Sequence, residues 1–163
     1  MKIDYEDKVN LTTSALPDRN KISDTDMNKI KNVVNANSGT LLWTNPNPDS
    51  DFAGQSIDFG STNDFEYYRI IWKPIKNSTY TIVQDIELKG GDTLTQCSFT
   101  SIIPYTPGGS TSGYLSVQYR SGVANDEGIA ITDCTHYFTN NNTKDDPANN
   151  YMIPVKIYGY SFG

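Results

Sequence analysis

The chemistry open to this chain is limited first by its single histidine, His136. Any Ser–His–Asp or Cys–His system would have to use it, because the nucleophile needs an imidazole to take its proton. Cys134 stands two residues before it in GIAITDCTHYF (128–138). Residues two apart on a strand share a face about 7 Å apart, too far for a direct hydrogen bond without adjustment. The pair therefore reads as a packed or surface His beside a Cys rather than as a catalytic dyad. One His and two Cys make no zinc set, and neither a metal nor a cofactor is expected. The loop carboxylates Asp49 and Asp51, and Asp145 and Asp146, have Asn neighbours, yet neither run has the ligand spacing of an EF-hand. A glycosidase pair would join carboxylates distant in the chain, and nothing singles one out. GGSTSG (108–113) lacks the Lys and the helix of a phosphate-binding loop. No catalytic residue is expected, and the chain reads as a non-enzyme.

Recognition is the chemistry that remains. Three polar stretches, TNPNPDSDF (44–52), IPYTPGGSTSGY (103–114) and TNNNTKDDPANNY (139–151), are too long for simple hairpin turns and read as flexible tip loops. Long loops on a rigid β scaffold are where binding residues usually sit. Tyr105, Tyr114, Asp145, Asp146 and Tyr151 combine rings and carboxylates there, a set suited to a neutral or basic host-surface glycan. Strands favour aromatics anyway, so a ring by itself is not a site.

Bulk charge narrows the partners. The formal net charge is -6 and the 13 basic residues are scattered, which argues against nucleic acid. No apolar run approaches membrane-spanning length, so no membrane partner is expected. The start MKIDYEDKVNLTTSALPD has no apolar h-region, and synthesis and use without Sec export are expected. On that reading the three N-x-S/T sequons are chance occurrences. A disulfide between Cys97 and Cys134 is geometrically open, but cytoplasmic synthesis favours two buried thiols.

The elements that must position these residues fall into three segments. Residues 1–19 carry isolated apolar points separated by charge, and predict an extended arm that orders on a partner. Residues 20–38 predict one short helix. Ser23 and Asp26 form a capping box, Ile22 and Met27 a hydrophobic staple, and Gly39 a stop that tolerates positive φ. Met27, Ile30 and Val34 repeat as an a/d/a seam with Val33 beside it. A helix of about 13 residues is marginal alone, so it packs either on its own β-domain or on copies of itself and an anchoring partner. Residues 39–163 predict about eight strands at short spacing, hence a mainly β chain: an antiparallel β-sandwich, jelly-roll-like. The strand YLSVQYR (114–120) alternates strictly, with Leu115, Val117 and Tyr119 on one face. In 128–138, Ile129, Ile131 and Asp133 share one side and Ala130, Thr132, Cys134 and His136 the other. A change of phase near Gln96 predicts a bulge.

The leader carries a family likeness. KVNL (8–11) followed by NKISDTDMNKIKNVVNAN (20–37) resembles the N-terminal segment of virion structural proteins in tailed phages and prophages of Gram-positive hosts, of the minor structural, head-fibre or receptor-binding kind. GTLLWTN (39–45) and VKIYGYSFG (155–163) are similar, more loosely, to the β-domains found there. The resemblance implies attachment of a trimeric appendage to capsid or tail proteins, with Val9, Leu11, Ile22, Met27, Ile30, Val33 and Val34 as anchoring and oligomerisation residues. It also implies a virion location, a homotrimer and a β-rich display region. Collagen-like or long coiled-coil shafts are common in that group, whereas here the β region follows the helix at once. A short knob or decoration is therefore expected. A bacterial carbohydrate-binding module is the alternative from another class.

Overall fold

A computed structural model describes residues 26–30, 39–60, 65–89, 93–106, 113–140 and 144–161. Residues 26–30 are helical, and Gly39 takes a φ of 66°, a positive value that glycine tolerates. The arm and the remainder of the expected helix lie outside the described residues.

The chain forms the antiparallel β-sandwich that the strand spacing predicts. Ten strands form among the described residues: β1 (Thr40–Thr44), β2 (Gln55–Asp58), β3 (Tyr67–Ile75), β4 (Ile82–Glu87), β5 (Thr95–Tyr105), β6 (Tyr114–Asn125), β7 (Gly128–Ile131), β8 (Thr135–Phe138), β9 (Lys144–Asp145) and β10 (Tyr151–Tyr160). One sheet has the order β1-β10-β3-β4. The other has the order β2-β7-β6-β8-β9, with β5 on the opposite edge of β6. β3 to β7 run as a meander, crossing once between sheets from β4 to β5.

The inward faces supply the core. Tyr68, Ile70, Trp72 and Ile86 come from one sheet, and Phe99, Ala124, Ile129 and Ile131 from the other. Trp72 meets Phe99 with ring centroids 4.8 Å apart, and the Tyr68 hydroxyl donates to Asn125 O across the layers at 2.6 Å. Burying these large side chains drives the two layers together at about 1.5–3 kcal/mol each.

Three local expectations are corrected. β5 pairs with β6 without a break from Thr95 to Tyr105, so there is no bulge at Gln96; Leu94 simply precedes the strand and is exposed. The irregularity lies instead in 128–138, which is two strands. β7 ends opposite Gly122 and β8 begins opposite Tyr119, so Arg120 and Ser121 face Thr132, Asp133 and Cys134. That extra residue changes the phase, and Cys134 and His136 turn inward on the side that Ile129 and Ile131 occupy. β6 extends five residues past Arg120. Its inward positions are Ser116, Gln118 and Arg120, whereas Leu115, Val117 and Tyr119 point out.

The loop 44–52 is anchored rather than flexible. Asn45 Nδ2 donates to Pro154 O at 2.9 Å, and its Oδ1 accepts from the Asn47 amide. Lys73 pairs with Asp49 and Lys76 with Asp51. The Phe52 amide donates to Asn149 O. Gly54 then passes so close to the bulge that a Cβ there would lie 2.6 Å from the Asp133 nitrogen, so only glycine fits.

Candidate functional site

The long β5–β6 hairpin brings Tyr105 directly opposite Tyr114 at one end of the sandwich, on the inward face of the sheet. β8 lies on the other side of β6, where Phe138 opposes Ser116. The result is a packed ring cluster: Tyr105–Tyr114 at 5.3 Å, Tyr105–Phe138 at 5.1 Å and Tyr114–Phe138 at 5.1 Å. Phe138 continues edge-on to His136 at 4.5 Å, and His136 stacks on Tyr151 of the facing sheet at 4.2 Å and 12°. Tyr105 is 44% exposed, while Tyr114, Phe138 and Tyr151 are half-buried. Beside this cluster is an open depression of about 460 Å³, whose polar lining includes Thr106, Thr139 and Asn140.

Beneath the rings runs a buried polar chain. Gln118 Nε2 donates to Ser116 Oγ at 2.8 Å. Ser116 Oγ is 3.0 Å from His136 Nε2, and His136 Nδ1 is 3.4 Å from Asp145 Oδ2. Ser116 Oγ accepts from Gln118 and shares a hydrogen bond with Nε2, while Nδ1 faces the Asp145 carboxylate. These are the residue types of a Ser–His–Asp triad, but a nucleophile must reach a carbonyl carbon. Ser116 is 5% exposed, lies mid-strand between Ile103 and Phe138, and is covered by the Gln118 amide. The chain instead fixes the His136 ring as a support for Tyr151 and holds Asp145 at the rim. Burial raises the Tyr151 pKa first, with the negative charge of Asp145 adding to it.

Arg120 holds the same region from below. It is fully buried and donates to three backbone carbonyls: Nη1 to Thr132 O at 2.6 Å, and Nη2 to Phe52 O at 2.7 Å and Tyr151 O at 3.1 Å. Its guanidinium carbon also lies 5.3 Å from the Phe52 ring centroid. Desolvation pulls its pKa below the usual arginine value. One side chain thus ties the bulge, the anchored loop and the start of β10. The residue after Tyr151, Met152, has a φ of 46°, a left-handed conformation that a non-glycine residue adopts only when its surroundings enforce it.

Of the candidate ligand residues, Tyr105, Tyr114, Tyr151 and Asp145 converge on Phe138 and His136. Asp146 turns away to pair with Lys144 at 2.7 Å. Phe138 was not expected in the site and His136 was expected as a packed or surface residue; their spacing of two, which puts both on one face, was the available signal. Among the described residues no group of three or more His, Cys, Asp or Glu side chains is placed to hold a metal. Of the anchoring residues, Met27 and Ile30 are described, and both are exposed, at 36% and 51%. Val9, Leu11, Ile22, Val33 and Val34 lie outside the described residues.

Comparison with known proteins gave no match: no family model, no curated protein and no solved structure.

Proposed function

We propose that this chain is a non-enzymatic structural protein of a tailed-phage virion, a short knob held to the particle by its N-terminus. Residues 1–19 attach it to capsid or tail proteins, the helix within 20–38 gathers three copies, and residues 39–163 are displayed for decoration or for contact with a host-surface glycan. The attachment half rests on the resemblance of residues 8–11 and 20–37, and is supported by the exposure of Met27 and Ile30. The observation that carries the binding half is the ring cluster ending in exposed Tyr105, with the Asp145 carboxylate at its rim. A pyranose stacks its C–H face on such a ring while its hydroxyls donate to a carboxylate, and the rigid support under Tyr151 lowers the entropy lost on binding.

The same cluster also favours a bacterial carbohydrate-binding module, and one experiment separates the two. Purified phage particles from a producing strain are imaged with antibody against residues 39–163. Label at regular positions on the particle is expected; unlabelled particles from a strain that makes the protein would overturn the virion reading. The binding half is tested by the adsorption of whole phage carrying Asp145, Asp146 and Tyr151 replaced by Ala, where at least a tenfold loss is expected. Unchanged adsorption would leave the protein a decoration that coats the particle.

A further inference from the structure

The buried polar chain beneath the rings contains a hydrogen bond that is not made. Gln118 is fully buried and its amide nitrogen donates to Ser116 Oγ at 2.8 Å, yet its amide oxygen has no partner among the described residues. A buried acceptor without a donor is costly and rare. The same chain continues to His136, which is 1% exposed and presents both ring nitrogens to polar atoms: Nε2 to the Ser116 hydroxyl at 3.0 Å and Nδ1 to the Asp145 carboxylate at 3.4 Å. Histidine is the side chain that ordinarily changes charge between about pH 5 and 8, and this chain has one.

Two proton arrangements fit these heavy atoms. With a neutral ring protonated on Nδ1, the Ser116 hydroxyl donates to Nε2 and accepts from the Gln118 amide nitrogen. With a charged ring both nitrogens donate, so Ser116 Oγ accepts from Nε2 and its own hydrogen needs a new acceptor. Turning the Gln118 amide over supplies that acceptor, because it sets Oε1 against Ser116 Oγ. Since Oε1 is bound to nothing else among the described residues, the turn breaks no other bond. One amide atom is unpaired in either arrangement, so that penalty cancels between them.

The groups around the ring come from four strands. Asp145 of β9 faces Nδ1, and the Tyr151 ring of β10 lies flat on the imidazole, where a cation gains from the π face. Burial counts against a charge there, and so does Arg120, one inward position beyond Gln118 on β6. The Cys134 thiol of β8 is pushed up to about 11 by burial and carries no charge, and Lys144 and Asp146 answer each other at 2.7 Å. We infer that the Gln118–Ser116–His136–Asp145 chain is a pH switch: on acidification a proton from solvent adds to His136 Nε2, the Gln118 amide turns over, and Asp145 closes from 3.4 Å onto the imidazolium. The Asp145 side chain is exposed at the rim of the ring cluster, so closure withdraws the carboxylate proposed to meet sugar hydroxyls. That consequence rests on the glycan reading; the switch itself needs no ligand.

The test is a titration of the intact, isotope-labelled chain from about pH 8 to about pH 5, read by NMR with no ligand present. A single histidine gives one set of imidazole signals. The ring is expected to pass from the neutral form protonated on Nδ1 to the imidazolium. The Gln118 side-chain amide and the Asp145 carboxyl carbon should shift with the same midpoint, while the far-UV spectrum stays native. Asp145→Asn, a change at an exposed side chain, should move that midpoint to lower pH by about half a unit or more. Three results overturn the inference: a ring that stays neutral to about pH 5, a titration that the Gln118 amide does not follow, or a midpoint unmoved by Asp145→Asn. Unfolding that coincides with protonation also overturns it, because the charge is then not held. The glycan reading fails or stands separately, on phage adsorption.

Discussion

Replacing Arg120 by Met should destabilise the β-domain more than any surface substitution in it. The guanidinium is the donor for Thr132 O, Phe52 O and Tyr151 O, three acceptors on three separate segments. A buried acceptor left without a donor costs about 1–3 kcal/mol. Part of that is offset. The Arg120 charge is desolvated with no carboxylate hydrogen-bonded to it, and its Nε has no partner among the described residues, so an apolar side chain of similar length relieves both. The net loss is about 3 kcal/mol. In a domain of this size that lowers the melting temperature by about 10 °C. Urea and thermal unfolding followed by circular dichroism measure it. The control is Arg69→Met, which breaks the exposed pair with Asp85 and should cost less than about 1 kcal/mol. An Arg120→Met protein as stable as wild type would refute the reasoning, for it would mean that the carbonyls find other donors and that the buried charge was a net burden.

Three further outcomes are expected. Deleting residues 1–19 should leave the melting temperature unchanged within a few degrees while abolishing attachment to the particle; an unfolded product would show instead that the leader belongs to the core. Burial pushes both the Cys97 and Cys134 thiols up to about 11 from 9.0, and both are free. A pKa raised by folding stabilises below the unfolded value and loses that contribution as pH rises, so stability should fall between about pH 9 and 11, less so in a Cys97→Ala/Cys134→Ala protein, and native thiols should resist alkylation at pH 8. The Asp133 pKa is lowered, chiefly by the Gly54 amide and then by the Asn149 side chain, and that of Asp85 chiefly by its hydrogen bonds with Arg69. Depressed carboxylates stabilise above the unfolded pKa, so stability should decline as pH falls below about 4, and a pH titration of Asp133→Asn should show a shallower acid decline.

The layers of this fold were legible in the sequence because β-branched and aromatic residues alternate between turn signals, and that pattern needs no knowledge of partners. What stayed hidden was direction. Period two says which residues share a face and not whether that face is the core, so Leu115, Val117 and Tyr119 gave no warning that they lie on the outer side of the sheet, where Leu115 is exposed and Val117 is buried. The phase change at Thr132–Cys134 was equally silent, since one inserted residue leaves composition untouched. Tyr105, Tyr114, Tyr151 and Asp145 were identified from loop chemistry alone. Their meeting through Phe138 and His136 depends on the pairing of β6 with both β5 and β8, a long-range register no local window contains.

The inversion of β6 links the hidden parts to one another. A strand that buries Ser116, Gln118 and Arg120 must satisfy each of them, and the partners it finds are His136, Asp145 and the backbone of the bulge, the anchored loop and β10. The network is only partly satisfied, since Gln118 Oε1 and Arg120 Nε have no hydrogen-bond partner among the described residues. The inversion also leaves Leu115 exposed on the outward face, while Val117 beside it on that face is covered by its neighbours. A core of Leu115, Val117 and Tyr119 with a polar exterior would have been the easier solution for a solitary domain. The observed arrangement places the buried polar side chains of β6 beneath the Tyr105–Tyr151 ring cluster, where Ser116 and Gln118 link to His136.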